Sequence, residues 1–486
     1  MRGADLLART LAAAGTRYVF TLSGNHVMPV FDAALEAKLS LIHVRHEAAA
    51  VHMADAWGRL TGEPGIALVT GGPGHANAVG ALYTARMADS PLVLISGHAP
   101  LDVLGKGAFQ EMRQADVAAP LCKASWTARS AQTLGEDVVK ALRIAREGQP
   151  GPVHLSVPND VLDARTDAGL PEFRREETQE QQDLEALVRA ERPLILTGRL
   201  QQPQLEEATG VPAIAMESPR GVNDPSLGRL AAVLKRADAV LLAGKRLDFT
   251  LKFGRAFAPD CRILRAPVGA LANVCRRYVG GEWAAEVAAS LAYRPPEWDA
   301  IRAGDGALHP VALCRAVQPL LEPSGAILVA DGGEFGQWAQ ACLRAPRRVI
   351  NGPAGSIGSA LPFAAAAKLA FPEAPVVALL GDGTFGFHLS EVDTAVRYRL
   401  GYLAVVGNDA CWNAEYQIQL RAYGSARAHG LELLPTRYGA AAAALGAHGE
   451  DVTRGTDVAA ALHRAHGAGR VACVNALIER VAAPTY

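Results

Sequence analysis

The chain has 486 residues, half of them apolar and a fifth charged, with a formal net charge of −1. This length exceeds what one hydrophobic core usually serves, so two or three domains are expected, and the composition is that of a globular protein. The near balance of charges excludes the basic surface of a nucleic-acid-binding protein and a polybasic membrane anchor. We therefore expect a small-molecule substrate, and neither nucleic acid nor membrane as a partner.

The seven cysteines are scattered along the chain and include no Cys-x-x-Cys pair. This spacing favours neither a zinc site nor a disulfide framework, and is typical of a reducing compartment. Residues 1–9 have the pattern of an amphipathic helix, whereas a secretory signal needs an uninterrupted apolar run. The sequence therefore predicts a cytoplasmic protein.

Strand-like and helix-like segments alternate from residue 1 to residue 166, the first predicted domain. Short apolar runs separated by Ala-rich helical stretches indicate a parallel sheet covered by helices on both faces. A polar, Gln-rich stretch at 167–183 has no apolar period and is predicted to be a linker. The strands predicted in this domain are 18–22, 41–44, 66–70, 92–96 and 153–157.

Two further αβ regions follow, at 184–292 and 305–486, separated by a Pro-rich joint. The glycine-rich turns of the central region lack a Gly-x-Gly-x-x-Gly fingerprint, which disfavours a nucleotide site there. The sequence thus predicts an α/β protein with three doubly wound parallel-sheet domains. The strands predicted in the last two domains are 194–197, 239–243, 262–266, 326–330, 376–380, 403–406 and 470–475.

Polar residues follow two neighbouring strands of the third domain. One predicted strand runs into Gly381-Asp382-Gly383, and the next ends, some two dozen residues later, in Asn408-Asp409. Parallel strands end at one edge of a sheet, where open α/β folds bind ligands. Glycines let backbone N–H groups approach a phosphate, and paired oxygen ligands completed by phosphate and water suit Mg²⁺. Either motif alone is more often a plain turn, and the pair favours a phosphate and magnesium site because its context and spacing match the pattern of a known enzyme family.

This pattern resembles the thiamine-diphosphate-dependent enzyme family, in which Gly-Asp-Gly is followed at similar spacing by Asn-Asn. The resemblance implies thiamine diphosphate and Mg²⁺ as cofactors, with Asp382, Asp409 and the backbone carbonyl of Cys411 as metal ligands. The chain departs from the family pattern because Asp409 replaces the second Asn. An Asp also binds Mg²⁺ but adds negative charge beside the diphosphate.

The segment 43–59, which contains Arg-His-Glu, and the turn Gly-Gly-Pro-Gly at 71–74 resemble the pyrimidine-binding half of acetolactate synthases. In that family the Glu sits in a poorly solvated pocket and exchanges a proton with the aminopyrimidine ring of the cofactor, and Glu47 is the matching residue. The local sequence alone also permits an exposed helix start. A His-Glu-x-x-His metalloprotease motif is excluded, because the next histidine is His52.

Further positions match the family. Gln110 stands where a glutamine faces substrate, and the Gly355 carbonyl where the aminopyrimidine is bound. Ile357 stands where a bulky residue forces the cofactor into a bent conformation, although plain core packing is the alternative. The residues expected by this resemblance to bind the cofactor are Asp331, Gly332, Gly355, Ile357, Gly381, Gly383 and Thr384.

The first predicted strand is followed by Leu-Ser-Gly-Asn-His, ending at His26. Acetolactate synthases usually carry Pro-Gly-Gly here, whereas benzaldehyde lyase has a similar histidine that transfers protons. His26 is therefore a candidate acid/base, since imidazole suits proton shuttling near neutral pH, or else a structural histidine. Trp412 and the residues after it also resemble the lyase and carboligase branch. Decarboxylation, carbon–carbon lyase cleavage and carboligation all remain open.

The resemblance implies an enzyme acting on 2-oxo acids or 2-hydroxy ketones, as a homodimer or homotetramer with its site at a subunit interface. FAD is not expected, because only Arg246 and Asp248 suggest a flavin-binding pattern. The last predicted strand lies close to Tyr486, so we expect no long C-terminal lid, and expect a segment after Trp412 to close the site instead.

Two alternative interpretations come from other classes. One is a catalytically silent homologue that serves as a regulatory or binding subunit, although Glu47, Asp382 and Asp409 together would have no use in a silent chain. The other is a nicotinamide-dependent dehydrogenase, which the missing dinucleotide fingerprint argues against.

Overall fold

A computed structural model describes residues 1–173 and 180–485, so positions 174–179 of the predicted linker lie outside the described residues. The N-terminal sheet has six parallel strands, β1 (Tyr18–Thr21), β2 (Ser40–His43), β3 (Gly65–Val69), β4 (Leu92–His98), β5 (Ala124–Thr127) and β6 (Pro152–Pro158), in the order β2-β1-β3-β4-β6-β5. Its helices are α1 (Gly3–Ala13), α2 (Met28–Glu36), α3 (Glu47–Thr61), α4 (Pro73–Met87), α5 (Gln114–Ala118), α6 (Leu134–Arg146) and α7 (Asn159–Asp163). The five predicted strands are confirmed to within two residues at each end.

The central region contains a four-stranded parallel sheet and a separate two-stranded parallel ribbon. The strands are β7 (Gln181–Asp183), β8 (Pro193–Thr197), β9 (Ala213–Ala215), β10 (Ala239–Ala243), β11 (Arg262–Ala266) and β12 (Leu271–Asn273). The sheet order is β11-β10-β8-β9, and β7 pairs with β12. The helices are α8 (Glu185–Val188), α9 (Pro203–Thr209), α10 (Leu230–Arg236) and α11 (Gly281–Ala292). The linker prediction is wrong at its end: β7 forms through backbone pairing, and its largely exposed polar side chains give no apolar signal.

The C-terminal sheet again has six parallel strands, β13 (Ile327–Ala330), β14 (Arg347–Ile350), β15 (Val376–Gly381), β16 (Leu403–Asn408), β17 (His448–Val452) and β18 (Ala472–Leu477). Their order, β14-β13-β15-β16-β18-β17, repeats that of the N-terminal sheet position by position. The helices are α12 (Pro310–Val317), α13 (Gly333–Cys342), α14 (Ala360–Ala370), α15 (Asp382–Phe387), α16 (Glu391–Arg397), α17 (Asn413–Tyr423), α18 (Tyr438–Ala444) and α19 (Val458–His466).

Helices cover both faces of each outer sheet, which confirms the α/β class with doubly wound parallel sheets. Helices α3, α4 and α14 form one apolar core between the two outer sheets, with Phe20 and Phe363 among its buried side chains. The ion pair between Arg59 and Asp55 is buried in the same region, at 2.6 Å, and Arg59 also donates to the carbonyl of Ile350. The carboxyl ends of the strands are therefore held on a rigid scaffold. Throughout the described ranges, no helix combines the length and apolarity needed to cross a bilayer.

Candidate active site

Asp382 and Asp409 lie at the same edge of the C-terminal sheet. Strands β15 and β16 are neighbours and pair Gly381 with Gly407, so both strands end at the same level. Asp382 begins α15 and is 2% exposed, while Asp409 follows β16 and is half-buried. Both carboxylates line one cavity. The predicted approach of these two side chains is therefore present in the structure.

The cavity contains about 870 Å³ of space, part of which is open solvent. The loops after β13, β15 and β16 form its walls, together with Ser218 and Pro219 of the central region. The Thr384 hydroxyl donates to the Gly381 carbonyl and so closes the first turn of α15. The predicted cofactor and metal residues that line the cavity are Gly332, Gly355, Ile357, Gly381, Asp382, Gly383, Thr384, Asp409 and Cys411.

The electrostatics of this pair fit a bound cation. Burial raises the pKa of Asp382 to about 6, and burial followed by the charge of Asp382 raises the pKa of Asp409 to about 7. The Oδ2 atom of Asp382 is buried and has no hydrogen-bond partner. Buried carboxylates without partners are costly unless a cation is bound. Within the described residues, no group of three or more His, Cys, Asp or Glu side chains is placed to hold a metal ion.

We predict that Mg²⁺ binding weakens as the pH falls from about 8 to about 5, because the metal must displace protons from these carboxylates. Both pKa values are raised, to about 6 and about 7, so the free site is ionised above that range and protonated below it. Calorimetric titration in buffers of different ionisation enthalpy should show more protons released per Mg²⁺ at the lower pH. An affinity that does not change with pH would contradict this assignment.

Close packing explains two glycines of the cavity wall. A Cβ on Gly383 would lie 2.7 Å from the Trp412 ring, and a Cβ on Gly332 would lie 2.7 Å from Cγ2 of Ile357. Ile357 is half-buried and lines the cavity, so plain core packing does not describe its position. We propose that this apolar side chain, which lies against the glycine turn after β13, contacts the bound cofactor.

Asp331 lies behind the cavity wall and is fully buried. Its Oδ1 accepts from the backbone N–H groups of Gly332 and Gly358, at 2.7 and 2.9 Å, and its Oδ2 from that of Ala360 at 3.2 Å. Burial raises the pKa of Asp331 to about 6 despite these bonds. The carboxylate thus joins the loop after β13 to the turn before α14. We propose a positioning role for Asp331, rather than direct contact with the cofactor.

Cys411 lies in the loop after β16. Cys411 forms an isolated antiparallel bridge with Glu432 and lines the cavity. Burial raises the pKa of its thiol to about 11, so the thiol stays protonated and unreactive. Asn408 is buried and holds the loop from within, since its Oδ1 accepts from the backbone N–H of Ala410.

A glycine-rich turn between β3 and α4 brings His26 and Gln110 together. A Cβ on Gly71 would lie 2.9 Å from His26 Nδ1, and a Cβ on Gly72 would lie 2.6 Å from the backbone carbonyl oxygen of Gln110. Gly72 also has a φ of +60°, which residues with side chains rarely adopt. Glycine is therefore required at both positions, and the close approach holds both candidate residues against the turn.

Gln110 carries two features of a functional position. Its φ is +56°, a strained value for a residue with a side chain. Its Oε1 atom is buried and has no hydrogen-bond partner. A buried acceptor without a donor is unfavourable in the free protein, so this amide is suited to receive a hydrogen bond from a ligand.

Glu47 begins α3 and is 8% exposed, so it is not the exposed helix start that the local sequence permits. Its Oε2 accepts from the Asn77 amide at 3.0 Å. Its Oε1 lies on the other side, 3.3 Å from where a Cβ on Gly74 would stand. The carboxyl group is thus fixed beside the same turn that contacts His26 and Gln110.

His26 lies in a short 3-10 turn after β1 and is 3% exposed. Its Nδ1 is 3.4 Å from the Thr70 hydroxyl, and its ring centroid is 6.4 Å from that of Phe109, which is largely exposed. Burial, and then the charge of His98, lowers the pKa of His26. The imidazole is therefore neutral near neutral pH and can accept a proton.

Sequence reasoning missed several residues of the site. Glu334 lines the cavity from α13 and is buried, and Ser218 and Pro219 reach the cavity from the central region. Gln114 is buried beneath the N-terminal turn, where its Oε1 accepts from the Gly72 backbone N–H at 2.8 Å. These residues belong to no local motif, because they meet the site only through tertiary folding.

The residues that suggested a flavin pattern line a second cavity, which contains about 500 Å³ of space including open solvent and is formed by all three regions. Its charges are largely paired with one another: Lys245 lies 3.5 Å from Asp248, and Arg246 lies 3.8 Å from Asp89. The absence of FAD remains a prediction.

The two outer α/β domains share one topology, and the carboxylate pair beside a glycine-rich turn in one and the buried glutamate in the other match the pattern that the sequence resemblance predicts. Two family profiles agree: "Thiamine pyrophosphate enzyme, N-terminal TPP binding domain" matches residues 1–117, and "Thiamine pyrophosphate enzyme, C-terminal TPP binding domain" matches residues 331–476. The chain belongs to the thiamine pyrophosphate enzyme family, and thiamine diphosphate is its cofactor.

Relatives cover nearly the whole chain. The "Acetolactate synthase large subunit IlvG" of Mycobacterium tuberculosis is 33% identical, over 99% of this chain and 96% of the relative. The "2-hydroxyacyl-CoA lyase 2" of Homo sapiens is 32% identical, over 98% of this chain and 90% of the relative. The protein of the same name from Danio rerio is 31% identical, over 98% and 91%. The chain is therefore a thiamine-diphosphate-dependent enzyme of the group that contains transferases and lyases.

Proposed function

We propose that this enzyme requires Mg²⁺ as well as thiamine diphosphate, and that it breaks or makes the carbon–carbon bond next to the carbonyl of a 2-oxo acid or a 2-hydroxy ketone. The observation that carries the proposal is the carboxylate pair of Asp382 and Asp409, which shares one cavity with Ile357 and Gly355. The names of the relatives support this range, since one is an acetolactate synthase and the other a 2-hydroxyacyl-CoA lyase.

The protein side chains have separate tasks in this proposal. When bound, thiamine diphosphate supplies the carbon nucleophile that protein side chains lack. Asp382, Asp409 and the Cys411 carbonyl would hold Mg²⁺ and through it the diphosphate, while Ile357 would orient the rings. Glu47 would exchange a proton with the aminopyrimidine through Oε1, because Asn77 already holds Oε2.

The substrate would meet His26 and Gln110. The neutral imidazole of His26 would take the proton of a substrate hydroxyl during cleavage and return it during ligation. The unpartnered Oε1 of Gln110 would accept a hydrogen bond from the same substrate. Both side chains lie against one turn, so they would act on one bound molecule.

We expect His26→Ala to lower kcat/KM for cleavage or ligation by about a hundredfold, the lower end of what general acid–base catalysis contributes. Burial lowers the pKa of His26, so wild-type activity should fall as the pH drops below the ordinary imidazole range. That limb of the pH profile should be missing in the variant. His463→Ala, at an exposed position of α19, is the matched control. Unchanged kinetics in His26→Ala would make the residue structural.

We also propose that the complete site forms between two copies of the chain. Among the described residues, those lining the C-terminal cavity do not include Glu47, His26 or Gln110. The catalytic residues of one copy would then meet the cofactor held by another, as the family resemblance implies. Sedimentation velocity should show a dimer or tetramer under assay conditions, and a fully active monomer would contradict this proposal.

Product analysis tests the function. The purified enzyme with Mg²⁺ and thiamine diphosphate would be incubated with pyruvate, benzoylformate, oxalyl-CoA, a 2-hydroxyacyl-CoA and benzoin, and the products identified by mass spectrometry. We expect at least one aldehyde or acyloin product that disappears without cofactor and in Glu47→Gln. No cofactor-dependent product from any substrate would refute the proposed reaction class.

A further inference from the structure

Arg480, just beyond β18, binds the backbone of the loop that carries Asp409. Its Nε and Nη2 atoms donate to the Asp409 carbonyl, at 3.3 and 3.1 Å, and Nη2 also donates to the Ala410 carbonyl at 3.2 Å. The guanidinium lies 5.1 Å from the centroid of the Tyr416 ring and is about a quarter exposed. The side chain is therefore fixed on several sides.

The loop held by Arg480 has an unusual backbone. Ala410 has a φ of +53°, a left-handed value that residues with a Cβ seldom adopt. Its carbonyl receives the Arg480 bond and a second bond from the backbone N–H of Leu433, at 2.8 Å. Such a conformation persists only when surrounding bonds enforce it. Arg480 thus helps to set the direction of the peptide between Asp409 and Cys411.

The residues after Arg480 fasten it to the rest of the cavity wall. The Val481 carbonyl accepts from the indole N–H of Trp338, at 3.3 Å, and from the Asn413 amide, at 3.4 Å. The backbone N–H of Ala483 donates to Glu334. Residues 480–483 therefore link the loop that carries Asp409 to α17 and α13, and Arg480 is the first residue of this segment.

The positive charge of Arg480 lies close to the two carboxylates of the proposed metal site. The proposed site brings two carboxylates, Asp382 and Asp409, to a magnesium ion that must also hold a diphosphate. The excess negative charge would weaken cofactor binding unless a cation lies nearby. Arg480 is that cation, and its attraction acts on both carboxylates. Apart from an ion pair at 3.5 Å with Glu432, which is largely exposed, it binds carbonyl groups and leaves the oxygens of Asp382 and Asp409 available to the metal.

We propose that Arg480 is a positioning residue of the metal site, which holds the Asp409 loop and offsets the charge of the second carboxylate so that both carboxylates can bind one Mg²⁺. The inference rests on the proposed magnesium dependence and adds a residue that no motif identifies. It also predicts a specific coupling: the need for Arg480 should depend on the charge at position 409.

The test is a double-mutant cycle on Mg²⁺ affinity, measured by calorimetric titration of Mg²⁺ into the full chain with saturating thiamine diphosphate. We expect Arg480→Gln to weaken Mg²⁺ binding by about tenfold, as second-shell substitutions at metal sites do. In the Asp409→Asn background, the same change should cost less than about threefold, because the charge to be offset is gone. Arg480→Lys keeps the charge and should lose less than Arg480→Gln.

Arg315→Gln is the matched control, since Arg315 is exposed and also donates to two backbone carbonyls, those of Ile301 and Trp298. It should bind Mg²⁺ like the wild type. Wild-type affinity in Arg480→Gln, or an equal loss with Asp and with Asn at position 409, would overturn the inference. A wild-type chain that binds thiamine diphosphate equally well without Mg²⁺ would instead refute the proposed function, so the two failures are distinguishable.

Discussion

Glu47→Gln should bind thiamine diphosphate within about threefold of the wild type but lose at least about a hundredfold in turnover, the lower range of general acid–base catalysis. The amide has nearly the same shape, and its oxygen can still accept the hydrogen bond from Asn77 that fixes the side chain. An amide neither gives up nor takes up a proton near neutral pH, so it cannot exchange one with an aminopyrimidine. Proton exchange at the reactive carbon of the bound cofactor, followed by NMR in deuterated buffer, should slow in parallel with turnover.

Glu36→Gln, at the exposed end of α2, is the matched control and should match the wild type in both measurements. Asn77→Ala would remove the partner of Glu47 without removing the carboxyl group, and should cause a smaller loss. Turnover in Glu47→Gln equal to that of the wild type would refute the role given to Glu47. A loss of turnover without slower proton exchange would place its action at a different step.

Asp382→Asn should weaken Mg²⁺ binding by more than about a hundredfold, because changes beyond the direct ligands already cost up to that much. The neutral amide offers one oxygen but no charge, and Mg²⁺ depends on carboxylates. Thiamine diphosphate binding should fall with the metal, since the diphosphate would be held through it. Calorimetric titrations of metal and of cofactor would measure both losses.

The unfolding temperature of Asp382→Asn distinguishes a lost metal ligand from a misfolded protein. Without metal, Asp382 is buried with an unpartnered Oδ2, so Asp382→Asn should unfold at the same or a higher temperature than the metal-free wild type. Asp305→Asn, at an exposed position of the same domain, should change neither property. A stable Asp382→Asn protein that binds Mg²⁺ as the wild type does would exclude Asp382 as a ligand.

The strands predicted from sequence are mostly those inside the sheets. The unpredicted strands of the three large sheets, β5, β9, β14 and β17, all lie at sheet edges. An edge strand is covered on fewer sides, so it tolerates charged or half-buried residues and lacks a continuous apolar run. The two arginines that begin β14 and the polar start of β17 show this directly.

Some residues of the candidate site could be predicted from the sequence and others could not. Asp382 and Asp409 could be predicted because each follows a recognisable strand, and parallel strands end at a shared edge. Glu334 and Arg480 could not, because neither belongs to a motif: Glu334 lines the cavity from α13, and Arg480 reaches the Asp409 loop from the segment after β18. The burial of Glu47 also needed the structure, because its local sequence equally permits an exposed helix start.

The central claim is that Asp382 and Asp409 hold a magnesium ion that binds the diphosphate of the cofactor. The most direct measurement is calorimetric titration of thiamine diphosphate into the wild-type protein with Mg²⁺ and, separately, with EDTA. We expect binding of one cofactor per chain with Mg²⁺ and loss of binding with EDTA. Equally tight binding under both conditions would contradict the account.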